Sequence, residues 1–169
     1  KTYVELKDSW SCLLSKPKPA DVAIIGDSHA HQYYQSFAKA LSAQSVLNFS
    51  APGCFPFVSE AHLDAPCKKK QAEALEFLAK HKTIKTVYLT GYFSYLSAGG
   101  FKNGNIEGLR EAQPLESQQA QTFIANGKSI IQALLDEGKD VVIIKDIPDV
   151  IFKPISCVEF ESKYLNYIR

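Results

Sequence analysis

The 169-residue chain contains no methionine and one tryptophan, and no stretch of it approaches the roughly twenty consecutive apolar residues that a membrane-spanning helix needs. No span is predicted. Charge of one sign is also scarce, because nineteen basic residues stand against eighteen acidic ones, for a net charge of +1. Such a balance provides no overall field to draw the chain to nucleic acid. The short run Lys68-Lys69-Lys70 reads as a solvated helix start or a surface loop. The four cysteines, Cys12, Cys54, Cys67 and Cys157, lack the paired C-x-x-C spacing of a structural zinc site, and neither a metal nor a cofactor is expected. The absence of an initiator methionine and of a signal peptide leads us to expect a piece of a longer product.

What is present is enough for one domain over residues 1–169, since 46% of the residues are hydrophobic and only 22% are charged. An even number of cysteines permits two disulfides and points to an oxidising compartment. Cys54 and Cys67 flank a loop rich in proline and small residues, and a bridge between them would stabilise the fold by about 3 kcal/mol through restriction of the unfolded chain. Cys12 would then pair with Cys157. The alternative is four reduced, buried cysteines in a cytosolic protein.

Strand and helix signals alternate. After an N-terminal lead-in over residues 1–20, Val22 to Ile25 is a β-branched run suited to a strand covered on both faces. Ala30, Tyr33, Tyr34, Phe37, Ala38 and Leu41 follow at helical spacing. Ser45 to Ser50 reads as a second strand, Gln71 to Lys80 as a helix, and Thr86 to Thr90 as a third strand. A polar, glycine-rich insertion from Ser97 to Pro114 is expected on the surface. Glu116 to Glu137 carries Ala120, Phe123, Ile124, Gly127, Ile130, Ile131, Leu134 and Leu135 on one face, and Gly138 stands where a helix end favours a left-handed residue. Asp140 to Lys145 is the fourth strand, and a last helix is expected from about Glu159. This order implies an α/β fold of three layers, with a central parallel sheet between helices and right-handed crossovers.

The turn Gly26-Asp27-Ser28-His29 lies where the first strand ends and the first helix opens. A serine there sits beyond the carboxyl end of a strand and beside unpaired helix N–H groups, where open α/β sheets bind ligands and negative charge is stabilised. Its hydroxyl is a candidate nucleophile toward a carbonyl. The simpler reading is that Asp27 or Ser28 only caps the helix.

Gly26-Asp27-Ser28-His29 resembles the first signature block of the SGNH (GDSL-type) hydrolases, and with the following Ala30 it is most similar to the SGNH domains attached to family-3 membrane acyltransferases. The resemblance implies a flavodoxin-like fold, a nucleophile at Ser28, and support from Asp27 and His29. It also implies that the backbone N–H groups of Ser28 and Gly53 form an oxyanion hole, with Gly53 in the turn Ala51-Pro52-Gly53-Cys54. The family's G-x-N-D block is only partly matched by Gly91-Tyr92-Phe93-Ser94, which keeps the supporting Gly91 but has Phe93 at the asparagine position. Loss of one oxyanion donor costs on the order of 10²- to 10³-fold in rate. Tyr92, Phe93 and Tyr95 are similar to an aromatic-rich segment of the acyltransferase-linked group and are candidate sugar contacts. Asp146-Ile147-Pro148 with Cys157 downstream also resembles that group.

The family's D-x-x-H block, which supplies the base and its orienting acid, has no match. His29, His31, His62 and His81 are preceded at that spacing by Gly26, Ser28, Ser59 and Leu78. We therefore expect a domain truncated at its C-terminus, inactive or very feeble by itself, with the catalytic histidine and aspartate outside this chain. The resemblance implies an extracytoplasmic domain, on the periplasmic or extracellular face, tethered through a membrane acyltransferase domain of the same parent polypeptide. Its partners would be an acyl donor and a cell-envelope polysaccharide acceptor. A secreted carbohydrate or lipid esterase is the alternative within enzymes, and a non-catalytic carbohydrate-binding or interaction domain is the alternative outside them.

Overall fold

Every residue from Val22 to Gly26 is buried, and this five-residue run forms the middle strand of the sheet. In the computed structural model, residues 11–56, 65–93 and 118–145 are described. Within them the chain runs β1 (Ser11–Leu14), β2 (Val22–Gly26), α1 (Ser28–Ala40), β3 (Val46–Ser50), α2 (Ala65–Lys80), β4 (Thr86–Thr90), α3 (Gln118–Asp136) and β5 (Asp140–Ile143). The strands lie side by side in the order β1-β3-β2-β4-β5. Neighbours among β3, β2, β4 and β5 are parallel, whereas β1 runs antiparallel to β3.

Side-chain alternation along these strands separates two apolar layers. Val22, Ile24 and Val46 pack with Ala30, Tyr34 and Phe37 of α1. On the opposite face Ala23, Ile25, Leu47, Phe49, Val87 and Leu89 meet Ala74, Phe77 and Leu78 of α2 and Leu134 of α3. The handedness of crossovers explains this division. The step from β2 to β3 moves one way along the sheet, while the steps to β4 and β5 move the other way, so right-handed connections place α1 on one face and α2 and α3 on the other. The direction reverses at the carboxyl end of β2, the topological switch point where sheets of this kind bind ligands.

The α/β architecture expected from the sequence is present, with three refinements. The sheet is not wholly parallel, and part of the N-terminal lead-in belongs to it, because Ser11–Leu14 pairs with the outer edge of β3 from Ser11↔Ser50 to Leu14↔Leu47. Four residues without clear alternation carry too little signal to mark a strand; the exposed edge of β3 recruits them. Helix α2 begins at Ala65, six residues before the predicted start, and takes in the lysine run. Pro66 reads as a loop residue in sequence, yet a helix accepts proline in its first turn, where no N–H donor is required. Leu135, expected on the buried face of α3, is 47% exposed, while Leu134 carries the packing. The insertion Ser97–Pro114, the segment Asp146-Ile147-Pro148, His62, Tyr95, Cys157 and the helix expected from Glu159 lie outside the described residues.

Two buried groups knit the ends of α2. At its C-terminus the His81 ring stacks on Phe77, and its Nδ1 lies 2.8 Å from the Phe77 carbonyl oxygen. Lys139 donates from Nζ to the carbonyls of His81 and Ile84 at 3.0 and 2.9 Å, and burial pushes its pKa below the ordinary lysine value. Before its N-terminus, Cys54 is bridged to Cys67 across thirteen positions of sequence, with Cα atoms 5.3 Å apart. Cys12 carries a half-buried thiol on β1, and burial pushes its pKa up to about 11. Replacing both Cys54 and Cys67 by alanine should lower the free energy of unfolding by about 3 kcal/mol, the value for closing a loop of this length. Urea titration provides the measurement, and an unchanged midpoint would mean that the bridge does not constrain the chain.

Candidate active site

The site begins with a residue that has no side chain. A Cβ on Gly26 would run into the Thr90 carbonyl oxygen of β4 and come within 2.8 Å of the Ala30 Cβ on α1. Glycine therefore lets the end of β2 lie close to both neighbours. The next residue, Asp27, is only 4% exposed and forms the N-cap of α1, with φ −90° and ψ −150°. Its Oδ1 accepts the His29 N–H at 2.8 Å, and its Oδ2 accepts the Tyr92 N–H at 2.9 Å. Ser28, the first helical residue, is exposed, and no side chain among the described residues hydrogen-bonds its hydroxyl.

The two sequence readings of this turn are thus divided between two residues. Asp27 caps the helix, and Ser28 is left with an accessible hydroxyl. That hydroxyl stands beside the first N–H groups of α1, which have no partner within the helix and carry the positive end of its dipole. A carbonyl approaching Ser28 would meet the positive end of that dipole.

The β3 side forms the second wall. Ser50 pairs in register with Gly26, and the Ala51 N–H donates to the Gly26 carbonyl at 3.1 Å, so the chain leaves β3 alongside the Ser28 turn. The following turn is closed by the Cys54 N–H on the Ala51 carbonyl at 3.0 Å. Gly53 lies in it with φ +73°, and a Cβ there would meet nothing within 4 Å. Its glycine answers a backbone requirement, not a shortage of space. The adjacent Cys54–Cys67 bridge ties this turn to α2. Beneath α1, the buried Ser50 Oγ accepts from Asn48 Nδ2 at 2.8 Å and lies 3.3 Å from His31 Nδ1.

The third wall follows β4. A Cβ on Gly91 would enter the Phe55 ring and lie 3.2 Å from Asp27 Oδ2. Tyr92, held through its N–H, lays its ring against His29 with centroids 5.3 Å apart and planes inclined by 54°. Phe93 is half-buried and makes an edge contact with Phe55 at 5.1 Å, and Phe55 stacks in turn on Phe123 of α3. Of the aromatic residues expected to face a sugar, Tyr92 therefore adjoins the Ser28 turn and Phe93 packs on core rings.

The structure brings Asp27, Ser28, His29, Gly91 and Tyr92 together around the end of β2, with Gly53 on the neighbouring turn. Sequence reasoning missed the bond between Asp27 and Tyr92, for which a separation of 65 positions leaves no local signal. It also missed the Asn48–Ser50 pair. That pair was detectable, because two polar residues two positions apart in an apolar strand share one face. No group of three or more His, Cys, Asp or Glu suited to a metal ion occurs among the described residues, and no described helix is long and apolar enough to cross a membrane.

Asp27→Asn is the test of the carboxylate bridge. An amide has one acceptor oxygen for two N–H donors, so one buried donor is left without its partner at a cost of about 1–3 kcal/mol. Urea unfolding should show that loss, accompanied by faster amide exchange at Tyr92 or His29; equal stability and exchange would assign Asp27 no bracing role.

No curated protein and no solved structure matches the chain. A family model does, over residues 2–166, and its description is an SGNH domain fused to AT3 domains. With the glycine–aspartate–serine turn at the carboxyl end of the middle strand of an α/β sheet, and a model matching nearly the whole length, the chain belongs to the family of SGNH domains fused to acyltransferase-3 domains.

Proposed function

We propose that this chain is the extracytoplasmic SGNH domain of a membrane O-acyltransferase, which transfers an acyl group, most simply acetyl, to a cell-envelope polysaccharide through an acyl-serine on Ser28. The observation that carries the reading is the exposed Ser28 at the first position of α1, released from capping by Asp27. Ser28 Oγ attacks the carbonyl carbon of the donor, and its proton passes to a base supplied from outside the described residues. The electron pair moves onto the carbonyl oxygen, where the N–H groups of Ser28 and Gly53 receive it. Collapse expels the donor's leaving group and leaves an ester on Ser28. A sugar hydroxyl then attacks that ester, and the acyl group departs on the polysaccharide while the serine regains its proton. Transfer in place of hydrolysis requires an acceptor site that excludes water.

Membership of a family fused to acyltransferase domains supports a membrane partner in the same polypeptide. The Cys54–Cys67 bridge supports an oxidising compartment, on the periplasmic or extracellular face. In this reading Cys12 of the edge strand, a free thiol in the structure, is oxidised to a disulfide with Cys157 in that compartment. A secreted esterase would share Ser28 and the acyl-serine and would end on water. A non-catalytic carbohydrate-binding domain is favoured by one observation, the Phe93 ring packed on Phe55 where the family's block has an asparagine.

In the full natural polypeptide, release of acetate from 4-nitrophenyl acetate should be abolished by Ser28→Ala. Equal turnover in that variant would remove Ser28 as nucleophile and leave the binding-domain reading. Thiol titration of the denatured, unreduced protein should find almost no free sulfhydryls. Two would show Cys12 and Cys157 unpaired, and four would overturn the extracytoplasmic placement.

A further inference from the structure

Strands β2, β3, β4 and β5 all point toward the end of the sheet that carries Ser28, and the chain enters each of them at the far end. Strand β1 reverses this. It runs antiparallel to β3, and its first residue, Ser11, lies opposite Ser50, which lies opposite Gly26 and, one strand further, Thr90. Ser11 therefore stands in one row with the end of β2. At the other edge β5 leaves toward the same end, with Ile143 opposite Leu89 and the Ile144 N–H on the Leu89 carbonyl at 2.9 Å. The sheet thus takes in the chain and releases it at the end of the nucleophile.

The two ends also differ in surface chemistry. At the Ser28 end, residues 26–29, 50–56 and 90–93 contain no lysine, arginine or glutamate, and their one aspartate, Asp27, is buried. Pro52 and Gly53 are exposed there, and Tyr92 is half-buried. Lys68, Lys69 and Lys70 lie at the rim, because the Cys54–Cys67 bridge holds the start of α2 against this turn with Cα atoms 5.3 Å apart. At the opposite end Lys18 pairs with Asp21 at 2.8 Å and Lys82 with Glu137 at 2.6 Å, and Lys85, whose N–H donates to the Asp21 carbonyl, is exposed. Exposed ion pairs suit a surface that stays in water. Protein interfaces instead deplete charge at their centre, favour aromatic residues there and leave charged residues to the rim.

We propose that the Ser28 end of the sheet is the face that docks on the acyltransferase domain of the same polypeptide, so that the acyl donor meets Ser28 at that interface and not in open solvent. This deepens the acyl-serine reading and rests on it. The family's fusion to such domains supplies the partner, and the entry at Ser11 with the exit beyond Ile143 supplies the orientation. A donor that reaches the serine across a closed interface is kept from water. The charged end of the sheet then faces solvent.

The test uses the full natural polypeptide in its membrane, with the photocrosslinking residue p-benzoylphenylalanine placed singly at Pro52 or Lys69 on the Ser28 end and at Lys82 or Lys85 on the other. Irradiation should join the Pro52 and Lys69 positions to the acyltransferase domain, read as crosslinked peptides by mass spectrometry. The Lys82 and Lys85 positions should give no such product. Two positions at each end keep the comparison intact if one label unfolds the domain. Products from the charged end alone, equal products from both ends, adducts to lipid only, or no product from the Pro52 and Lys69 positions would each overturn the docking face. Turnover of 4-nitrophenyl acetate by Ser28→Ala is measured alongside. A wild-type rate in that variant would end the acyl-serine reading, whereas an inactive Ser28→Ala with crosslinks from the charged end alone would end the docking face and leave that reading standing.

Discussion

The carboxylate of Asp27 is where the helix that presents Ser28 and the segment after β4 are joined. A carboxylate buried to this degree must have its oxygens satisfied, and here one oxygen faces the His29 N–H and the other the Tyr92 N–H. The arrangement also places negative charge at the positive end of the α1 dipole. Two glycines make room for it. Gly26 allows β2 to end close to Thr90 and Ala30, and Gly91 leaves space beside Asp27 Oδ2 that a methyl group would crowd. Because Asp27 takes the cap, the serine after it is free for chemistry.

Fold and site are coupled through the same few residues. The reversal of direction at β2 brings the end of β3 to one side of Ser28 and the end of β4 to the other. Each wall is then anchored into the apolar layer on the α2 and α3 face. The β3 wall is held by the disulfide, and the β4 wall by Phe93 and Phe55 against Phe123. On the α1 side, Asn48 and Ser50 of β3 lie under the helix, where Asn48 donates to Ser50 and Ser50 lies beside His31.

Much of this architecture was legible before the structure. Val22 to Ile25 and Thr86 to Thr90 read as strands because continuous apolar or β-branched runs suit a sheet covered on both faces, and Gly138 marked the end of α3, where its φ is +70°. The Cys54–Cys67 bridge followed from the loop between them. Strand β1 was not legible, since a four-residue edge strand is defined by its partner and not by its own pattern. The start of α2 was missed because Pro66 breaks a helix interior but fits its first turn. The exposure of Leu135 depends on where α3 meets the sheet, which its periodicity leaves open by one residue.

By itself the sequence determined the order of strands and helices from β2 to β5, the position of Ser28 at a strand-to-helix junction, and the family that the turn resembles. These are local properties, written in hydrophobic period, turn chemistry and a contiguous motif. Only the tertiary structure decided which residue caps α1, which histidine lies on which flank of Ser28, and which aromatic turns toward the site or into the core. Those outcomes depend on residues far apart in the chain, with Asp27 meeting Tyr92, His31 meeting Ser50 and Phe55 meeting Phe93, and they exist only once the sheet has brought the ends of β2, β3 and β4 together.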